Sequence, residues 1–265
     1  MKVRSNIEKA FDERKIRPHK IFFYKSTDST NERARKYPAE RTYDLEMNGT
    51  GFPSELFIAD EQTVGRGRVG RKFVSNSGAG LYMSVRFDFP LDMCESVGIT
   101  PLAAVAVCRA LKKLCGADAS IKWVNDIYMN GKKLAGILTE STLDENGKRK
   151  YICGIGINLL PSEMPKELAD LVTNLAELGY TPDRFELAAA ITEELLGNLQ
   201  NPFSPDVASE YKSHSFLIGK SVSVIDGECT SRANVIDISD RYELTVRFDN
   251  GVVKSLSTGE VSIKL

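Results

Sequence analysis

Two Asn-Gly dipeptides, Asn130-Gly131 and Asn146-Gly147, punctuate a strand-like run from Ser120 to Leu160. This dipeptide tolerates the positive φ angles of a tight hairpin turn, so the run reads as consecutive antiparallel strands. Further strand signals lie at Ile21 to Tyr24, Leu56 to Ala59 and Leu81 to Phe89. Helices are expected over Ile99 to Cys115, over Asp183 to Leu199, where Ala188, Ile191, Leu195 and Leu199 keep helical spacing, and over Val207 to Lys212. Asp28-Ser-Thr-Asn31 offers capping side chains to another helix, with Glu32 in its first turn where the dipole favours a carboxylate. The loop from Pro38 to Pro53 is polar and Gly-bearing. From Ile218 onward the period changes. Val222/Val224, Val235, Leu244/Val246/Phe248 and Val252 lie in short alternating segments divided by Asp226-Gly227 and Asn250-Gly251, as in a small β-barrel. A boundary is therefore expected near residue 215, giving units 1–215 and 216–265.

Composition narrows the function classes. Thirty-five Lys+Arg against 36 Asp+Glu leave a net charge of -1, so any anion site must be local, and no global field draws the chain to nucleic acid or an acidic membrane. The most apolar stretch, Ile99 to Cys108, is interrupted by Thr100 and Pro101 and falls short of the about 20 apolar residues a span needs. The opening MKVRSNIEKAFDERK has no apolar core ahead of a cleavage site, and a cytoplasmic chain is expected. Cys94, Cys108, Cys115, Cys153 and Cys229 are scattered without a CxxC pair, which favours reduced thiols over disulfides or zinc. His19 and His214 lie in no Gly-x-Ser-x-Gly or His-Glu-x-x-His context and read as surface residues, and no Gly-x-x-x-x-Gly-Lys-Ser/Thr loop occurs.

Three constellations remain. In Gln62-Thr-Val-Gly65-Arg66-Gly67-Arg68-Val69-Gly70-Arg71-Lys72, four cations and three glycines share a short segment after a strand. The Gly-x-Gly-x-x-Gly string lacks the following helix that a dinucleotide fold requires. Glycines let backbone approach a ligand and guanidinium forks suit phosphate or carboxylate, so the segment reads as a mobile anion clamp. A solvated basic loop is the plain alternative, and RNA binding a weaker third, since no aromatics are interleaved. Around the Asn130-Gly131 turn, Ile121-Lys122-Trp123-Val124-Asn125-Asp126 faces Lys132-Lys133-Leu134-Ala135-Gly136. On a regular strand Lys122 and Val124 would point one way, Trp123 and Asn125 the other. Lys133, bounded by apolar residues, needs an anionic partner; a surface hairpin with Asp126 paired to a lysine explains the same residues. Last, Gly154-Ile-Gly156-Ile-Asn158 strips one strand face of side chains, admitting either a ligand or a tight packing contact. Asn158 could bind a ligand or cap the turn before Pro161.

Taken in order, Asp28-Ser-Thr-Asn31, Gln62 with Gly65-Arg-Gly-Arg-x-Gly-Arg71, Lys122-Trp-x-Asn-Asp126, Lys133-Leu-Ala-Gly-Ile-Leu138 and Gly154-x-Gly-Ile-Asn158 resemble biotin protein ligase over roughly residues 20–265. The resemblance implies an α+β fold, with a mixed-sheet catalytic domain of the biotin/lipoate ligase type and a small C-terminal SH3-like β-barrel ending in Ser257-Thr-Gly-Glu-Val-Ser-Ile263. It implies biotin as substrate, ATP and Mg2+, formation of biotinyl-5′-AMP, and transfer to a lysine of a biotin carboxyl carrier domain. Lys133 would bridge the biotin carboxylate and the α-phosphate, Lys122 would assist at the phosphates, and Asp126 would orient or deprotonate the incoming amine. Arg66, Arg68 and Arg71 would belong to the loop closing over the adenylate, with Gly65 as a hinge. Ser29, Thr30, Asn31 and Gln62 would surround the ureido ring, with Gly136, Gly154 and Gly156 flattening the pocket, Trp123 and Phe73 lining it, and Asn158 touching the adenylate or the metal. Val124 stands where the family usually has proline, and Phe73 where it commonly has tryptophan. Because only about 20 residues precede the first strand, a DNA-binding helix-turn-helix is not expected. Nor is a membrane partner, and the chain is expected to be a monomer or weak homodimer. A lipoate ligase or octanoyltransferase is the alternative enzyme, without the Arg-Arg-x-Ser-Gly-Gly-Gly loop of that type, and a non-catalytic nucleotide- or RNA-binding module the alternative from another class.

Overall fold

The computed structural model describes residues 2–12, 14–37, 45–46, 54–88, 98–144, 147–226, 229–257 and 260–262. Phe89, Cys94, Asn146, Gly227, most of the Pro38–Pro53 loop, and Thr258, Gly259 and Ile263 of the terminal segment lie outside the described residues. In chain order the elements are α1 (Lys2–Asp12), β1 (Lys20–Tyr24), α2 (Thr30–Lys36), β2 (Leu45–Glu46), β3 (Ser54–Ala59), β4 (Gly80–Phe87), α3 (Ile99–Cys115), β5 (Ser120–Lys122), β6 (Asp126–Met129), β7 (Lys132–Leu143) and β8 (Arg149–Asn158). Then come α4 (Lys166–Ala169), α5 (Arg184–Gln200), α6 (Pro205–His214), β9 (Ser221–Asp226), β10 (Cys229–Ile238), β11 (Leu244–Phe248), β12 (Val253–Leu256) and β13 (Glu260–Ser262).

Eight strands form one sheet in the order β2-β1-β3-β4-β8-β7-β6-β5. Among these strands β1 and β3 run parallel; every other neighbouring pair is antiparallel, including β6–β7 and β7–β8, where the Asn-Gly signals lie. Period-two alternation sorts the residues of this mixed sheet to its two faces. On β8, Cys153, Ile155 and Ile157 join the main apolar core, whereas Gly154, Gly156 and Asn158 face a cleft on the other side. Helices α3 and α5 pack on each other over the core face. Leu102, Val105 and Leu111 of α3 are fully buried, each burial being worth about 1.5–3 kcal/mol. Gly116 ends this helix with φ of 69°, its N–H donating to the Leu111 and Lys112 carbonyls. Helix α2 instead covers the opposite face, where Ala34 packs with Phe22, Tyr24, Phe57, Ala59 and Ile152.

The opening segment, to which no element is assigned above, folds as α1. Ile7, Ala10 and Phe11 fall on one face and are buried, and Arg14 beyond its end pairs with Glu186 and Glu193 of α5. Ile121 to Tyr128 is not one regular strand: β5 stops at Lys122 and the chain turns through Trp123, Val124 and Asn125, with a cis Trp123–Val124 peptide, into β6. The turn makes Lys122 and Asp126 cross-strand partners.

The remaining strands pair antiparallel in the order β12-β11-β10-β9-β13. Strands β12 and β13 are its edges, so among the described residues the pairing does not close into the expected ring. This sheet meets the first through Trp123 of the β5–β6 turn, whose indole N–H donates to the Tyr242 carbonyl at 2.8 Å, and meets α6 through an edge-to-face contact of Tyr211 with Tyr242.

Candidate active site

A cleft of about 400 Å³ opens on the glycine-bearing face of the larger sheet. Register explains its floor. Across β4, β8, β7, β6 and β5 one row of partners runs Tyr82, Gly156, Gly136, Asp126, Lys122, and the adjoining row runs Ser84, Gly154, Leu138. Two glycines thus face each other with a carboxylate and an amine beside them. Lys133 and Gly136 are an odd number of residues apart and would point to opposite faces of a regular strand. A bulge in the pairing of β6 with β7 leaves Leu134 unmatched, so Lys133 pairs with Tyr128 and shares the cleft face with Gly136.

At the cleft's centre Lys133 Nζ lies 2.7 Å from Asp126 Oδ1, both half-buried. Asn125 donates its amide N–H to Asp126 Oδ1 at 3.0 Å and to the Ile137 carbonyl at 3.1 Å. Its Oδ1 accepts from Arg68 at 3.1 Å. The chain Arg68–Asn125–Asp126–Lys133 thereby joins the Gly/Arg segment to the hairpin amine. Asn125 stood in the motif without an assigned role; only the fold gives it one. Lys122 Nζ sits 5.9 Å from the centre of the Tyr128 ring, and burial together with the Asp126 charge pushes the Tyr128 phenol up to about 12.

The Gly/Arg segment is a small flap folded on itself. Bridges pair Gln62 with Ser75 and Arg66 with Lys72, Gly67 N–H donates to the Arg71 carbonyl, and Phe73 N–H donates to the Gly65 carbonyl. Its tip is a single 3-10 turn over Arg68–Gly70, so no helix follows the glycines and the dinucleotide string is incidental. Gly65 lies outside the cleft lining: a methyl there would meet Ser75 Oγ at 2.7 Å and the Phe73 carbonyl closer still, so close backbone approach, not hinging, requires it.

Several expected contacts are engaged within the protein. Gln62 Oε1 accepts from the Thr30 N–H at 2.8 Å and its hydroxyl at 3.1 Å, and Gln62 Nε2 donates to Ser75. Gln62, not the side chains of residues 28–31, therefore satisfies the first turn of α2 from across the chain, and Ser29 makes no capping bond. Burial disfavours the Asp28 charge, but the Ser29 N–H, the Thr27 hydroxyl and Arg33 outweigh it and hold the carboxyl below its usual range. Asn31 fills the space over Gly154, where a methyl would fall 2.9 Å from Asn31 Cγ. Asn31 Oδ1 accepts from Ser84 at 2.6 Å and Nδ2 donates to Glu140 at 2.8 Å. Over Gly156 lies Phe73, whose Cζ is 2.7 Å from where that methyl would be. The bare strand face thus admits two of the protein's own side chains as well as a cleft. Asn158 donates to the Thr173 carbonyl at 3.1 Å, holding the segment that brings Leu171 and Val172 to the rim. Trp123 is 3% exposed and, through its bond to Tyr242, serves the junction of the two sheets while one side reaches the cleft. His19 and His214 are half-buried, and neither lines the cleft.

Ser29, Thr30, Asn31, Gln62, Arg66, Arg68, Arg71, Phe73, Lys122, Trp123, Asp126, Lys133, Gly136, Gly154, Gly156 and Asn158 all line this one cleft. Sequence reasoning missed Tyr128, Met164, Leu168, Leu171 and Val172, and Val261 and Ser262 from the second sheet. Of these only Val261 and Ser262 stood within a quoted stretch, the terminal Ser257–Ile263 segment, and there without a site role. Among the described residues Arg66, Arg68, Arg71, Lys72, Lys122 and Lys133 line the cleft with one lining carboxylate, Asp126, while Glu32 and Glu140 reach Arg66 from outside the lining, so the cleft keeps a local cationic excess in a chain of charge -1.

Comparison with known proteins agrees with this geometry. The family model described as Biotin/lipoate A/B protein ligase family matches residues 24–158. The bifunctional ligase/repressor BirA of Bacillus subtilis is 34% identical over 221 residues, covering 79% of this chain and 66% of its own length. A biotin--[acetyl-CoA-carboxylase] ligase of Mycobacterium tuberculosis is 30% identical over 187 residues, 67% of this chain and 66% of its own. The chain thus spans about two thirds of the length of these curated relatives. The solved biotin protein ligase from Aquifex aeolicus in complex with biotin and ATP superimposes with a TM-score of 0.74 at 28% identity, over 91% of this chain and 97% of that one. On the matched motifs, the shared fold and the residues gathered in the cleft, the chain belongs to the biotin/lipoate A/B protein ligase family.

Proposed function

We propose that the protein activates biotin with Mg-ATP to biotinyl-5′-AMP and pyrophosphate, and then transfers the biotinyl group to a lysine of a biotin carboxyl carrier domain. The observation that carries this reading is the cleft itself: six cationic side chains around one carboxylate, above a floor of facing glycines. In the first step a biotin carboxylate oxygen bonds to the α-phosphorus and the bond to pyrophosphate breaks. Both reactants are anionic, so fixed cations that gain contact as charge redistributes lower the barrier. Lys133 serves as the shared counter-charge, with Lys122 and Arg68 at the phosphates; Arg66 and Arg71 complete the flap. In the second step the carrier amine attacks the acyl carbon, the bond to AMP breaks, and the amine proton passes to Asp126, which the Lys133 and Asn125 contacts hold in place. The flap keeps water from the mixed anhydride.

Ser29, with the backbone fixed by Thr30 and Gln62, faces the ureido ring. Asn31, Gly136, Gly154 and Gly156 shape the floor, Phe73 and Trp123 supply apolar walls, and Asn158 touches the adenylate. Magnesium enters with the nucleotide. Among the described residues no cluster of three His, Cys, Asp or Glu is placed to hold a metal, and Asp126 is engaged by Lys133, which fits an ion carried by the phosphates. We assign residues 1–215 to the catalytic unit and 216–265 to an accessory unit that adds Val261 and Ser262 to the rim. A carrier domain of acetyl-CoA carboxylase is the expected acceptor, as the name of the mycobacterial relative suggests. No helix among the described residues is long and apolar enough to cross a membrane. The free thiols of Cys108, Cys115, Cys153 and Cys229 support a cytoplasmic setting. The test is to incubate the protein with ATP and labelled biotin, lipoate or octanoate and measure pyrophosphate and acyl-adenylate. Product with biotin alone is expected; silence with biotin overturns the proposal.

A further inference from the structure

Glu32 and Glu140 lie outside the cleft lining, yet both reach the flap. Glu32, on α2, forms a close ion pair with Arg66, and Glu140, on β7, lies 3.8 Å from the same guanidinium. Arg35 bridges the two acids from behind, at 2.8 Å from Glu140 and 3.4 Å from Glu32. The second oxygen of Glu140 accepts from Asn31, the side chain that fills the floor over Gly154. Two acids and two arginines therefore form a charge-balanced quartet, three of whose members belong to the body of the protein and one, Arg66, to the flap.

We propose that Glu32 and Glu140 are the latch that holds the flap shut, positioning residues that set how long the reaction intermediate stays enclosed. The proposal rests on the reading that the cleft forms an acyl-adenylate. When the flap lifts, Arg66 leaves and, among the described residues, two neighbouring carboxylates keep one cation, Arg35, between them, so opening creates like-charge repulsion that closure offsets. Arg66 and Arg68 divide the work: Arg68 ties the flap to Asn125 beside the reacting groups, and Arg66 ties it to α2 and β7 at the margin. Because the carboxylates are half-buried and Arg66 is exposed, the latch is partly screened and opens more readily as salt rises. Glu140 adds a link that Glu32 lacks, since the carboxylate that receives Arg66 also fixes Asn31 in the floor.

Glu32→Gln, Glu140→Gln and the double variant test this against the unaltered protein. Three quantities are read: pyrophosphate formation from biotin and ATP, the rate at which preformed biotinyl-5′-AMP escapes, and the rate of trypsin cleavage within residues 66–72. The expected result is near-normal pyrophosphate formation, escape about three- to tenfold faster in each single variant, and faster flap cleavage at an unchanged melting temperature for Glu32→Gln. Raising salt from low to high ionic strength should speed escape from the unaltered protein and leave the double variant nearly unaffected, a response a merely structural role would not show. In an Arg66→Gln background, Glu32→Gln should have no further effect. Unchanged escape and cleavage in all variants, or an undiminished effect of Glu32→Gln without Arg66, overturns the latch. If the unaltered protein forms no pyrophosphate with biotin, the functional reading fails instead, and the cleavage measurements, made at low and high salt, still judge the latch.

Discussion

Gly154→Ala tests the architecture of the floor, because its cost falls on one identifiable neighbour. The added methyl would lie 2.9 Å from Asn31 Cγ and 3.1 Å from Nδ2, and nearer still to Oδ1, so Asn31 must leave its place. Asn31 is 4% exposed and its side chain cannot simply swing into water. Displacement breaks the Ser84 bond to Oδ1, worth about 1 kcal/mol, and the Nδ2 bond to the Glu140 carboxylate, worth about 1.5–3 kcal/mol. Replacing glycine by alanine within a strand returns roughly 0.5–1 kcal/mol of backbone entropy. The net loss is then about 1.5–3.5 kcal/mol, a fall of roughly 3–6 °C in melting temperature for a chain of this size. Thermal unfolding of Gly154→Ala, Asn31→Ala and the pair measures it. With Asn31 already truncated the methyl meets no amide, so Gly154→Ala should cost almost nothing in that background. A full cost in both backgrounds would show that the floor is not built on this contact.

Three further outcomes follow from the geometry. Lys133→Ala should reduce pyrophosphate formation by at least a hundredfold, measured in single-turnover assays with biotin and ATP, and near-normal turnover would remove the lysine from its assigned role. Arg68→Gly loses the bond to Asn125 and should release intermediate, labelling bystander lysines in a mixed-protein assay; retention of the adenylate would count against the flap as a shield. Asp60 is buried, which disfavours its charge, but Lys25, Arg184 and Ser77 outweigh this and lower its pKa to about 2. A depressed folded pKa gives stability that is present above about pH 4 and is lost as pH falls toward about 2. Asp60→Asn should therefore cost about 2 kcal/mol near neutrality, with the difference from the unaltered protein shrinking below about pH 4 in denaturant titrations; a constant gap at every pH would contradict the assignment.

Asn-Gly turns, apolar periods and the chemistry of short motifs are local, so the sequence by itself determined the antiparallel β6-β7-β8 run, helices α3 and α5, the alternating C-terminal strands and nearly all of the cleft's polar residues. Helix α1 was not read from the sequence although Val3, Ile7, Ala10 and Phe11 keep helical spacing, because the stripe is short and set among charges; burial of Ile7, Ala10 and Phe11 in a helix packed against α5 decides it. Register and long-range partnership belonged to the tertiary structure. Only the unmatched Leu134 turns Lys133 onto the face of Gly136; only the pairing of β4, β8 and β7 shows that Asn31 and Phe73 occupy the space the glycines leave. Only the folded flap brings Arg66 to Glu32 and Glu140, and Arg68 to Asn125, residues separated in the chain by tens of positions. A sequence states which groups are available within a few residues of one another, whereas which of them neutralise, cap or crowd each other depends on distances through space that only packing fixes.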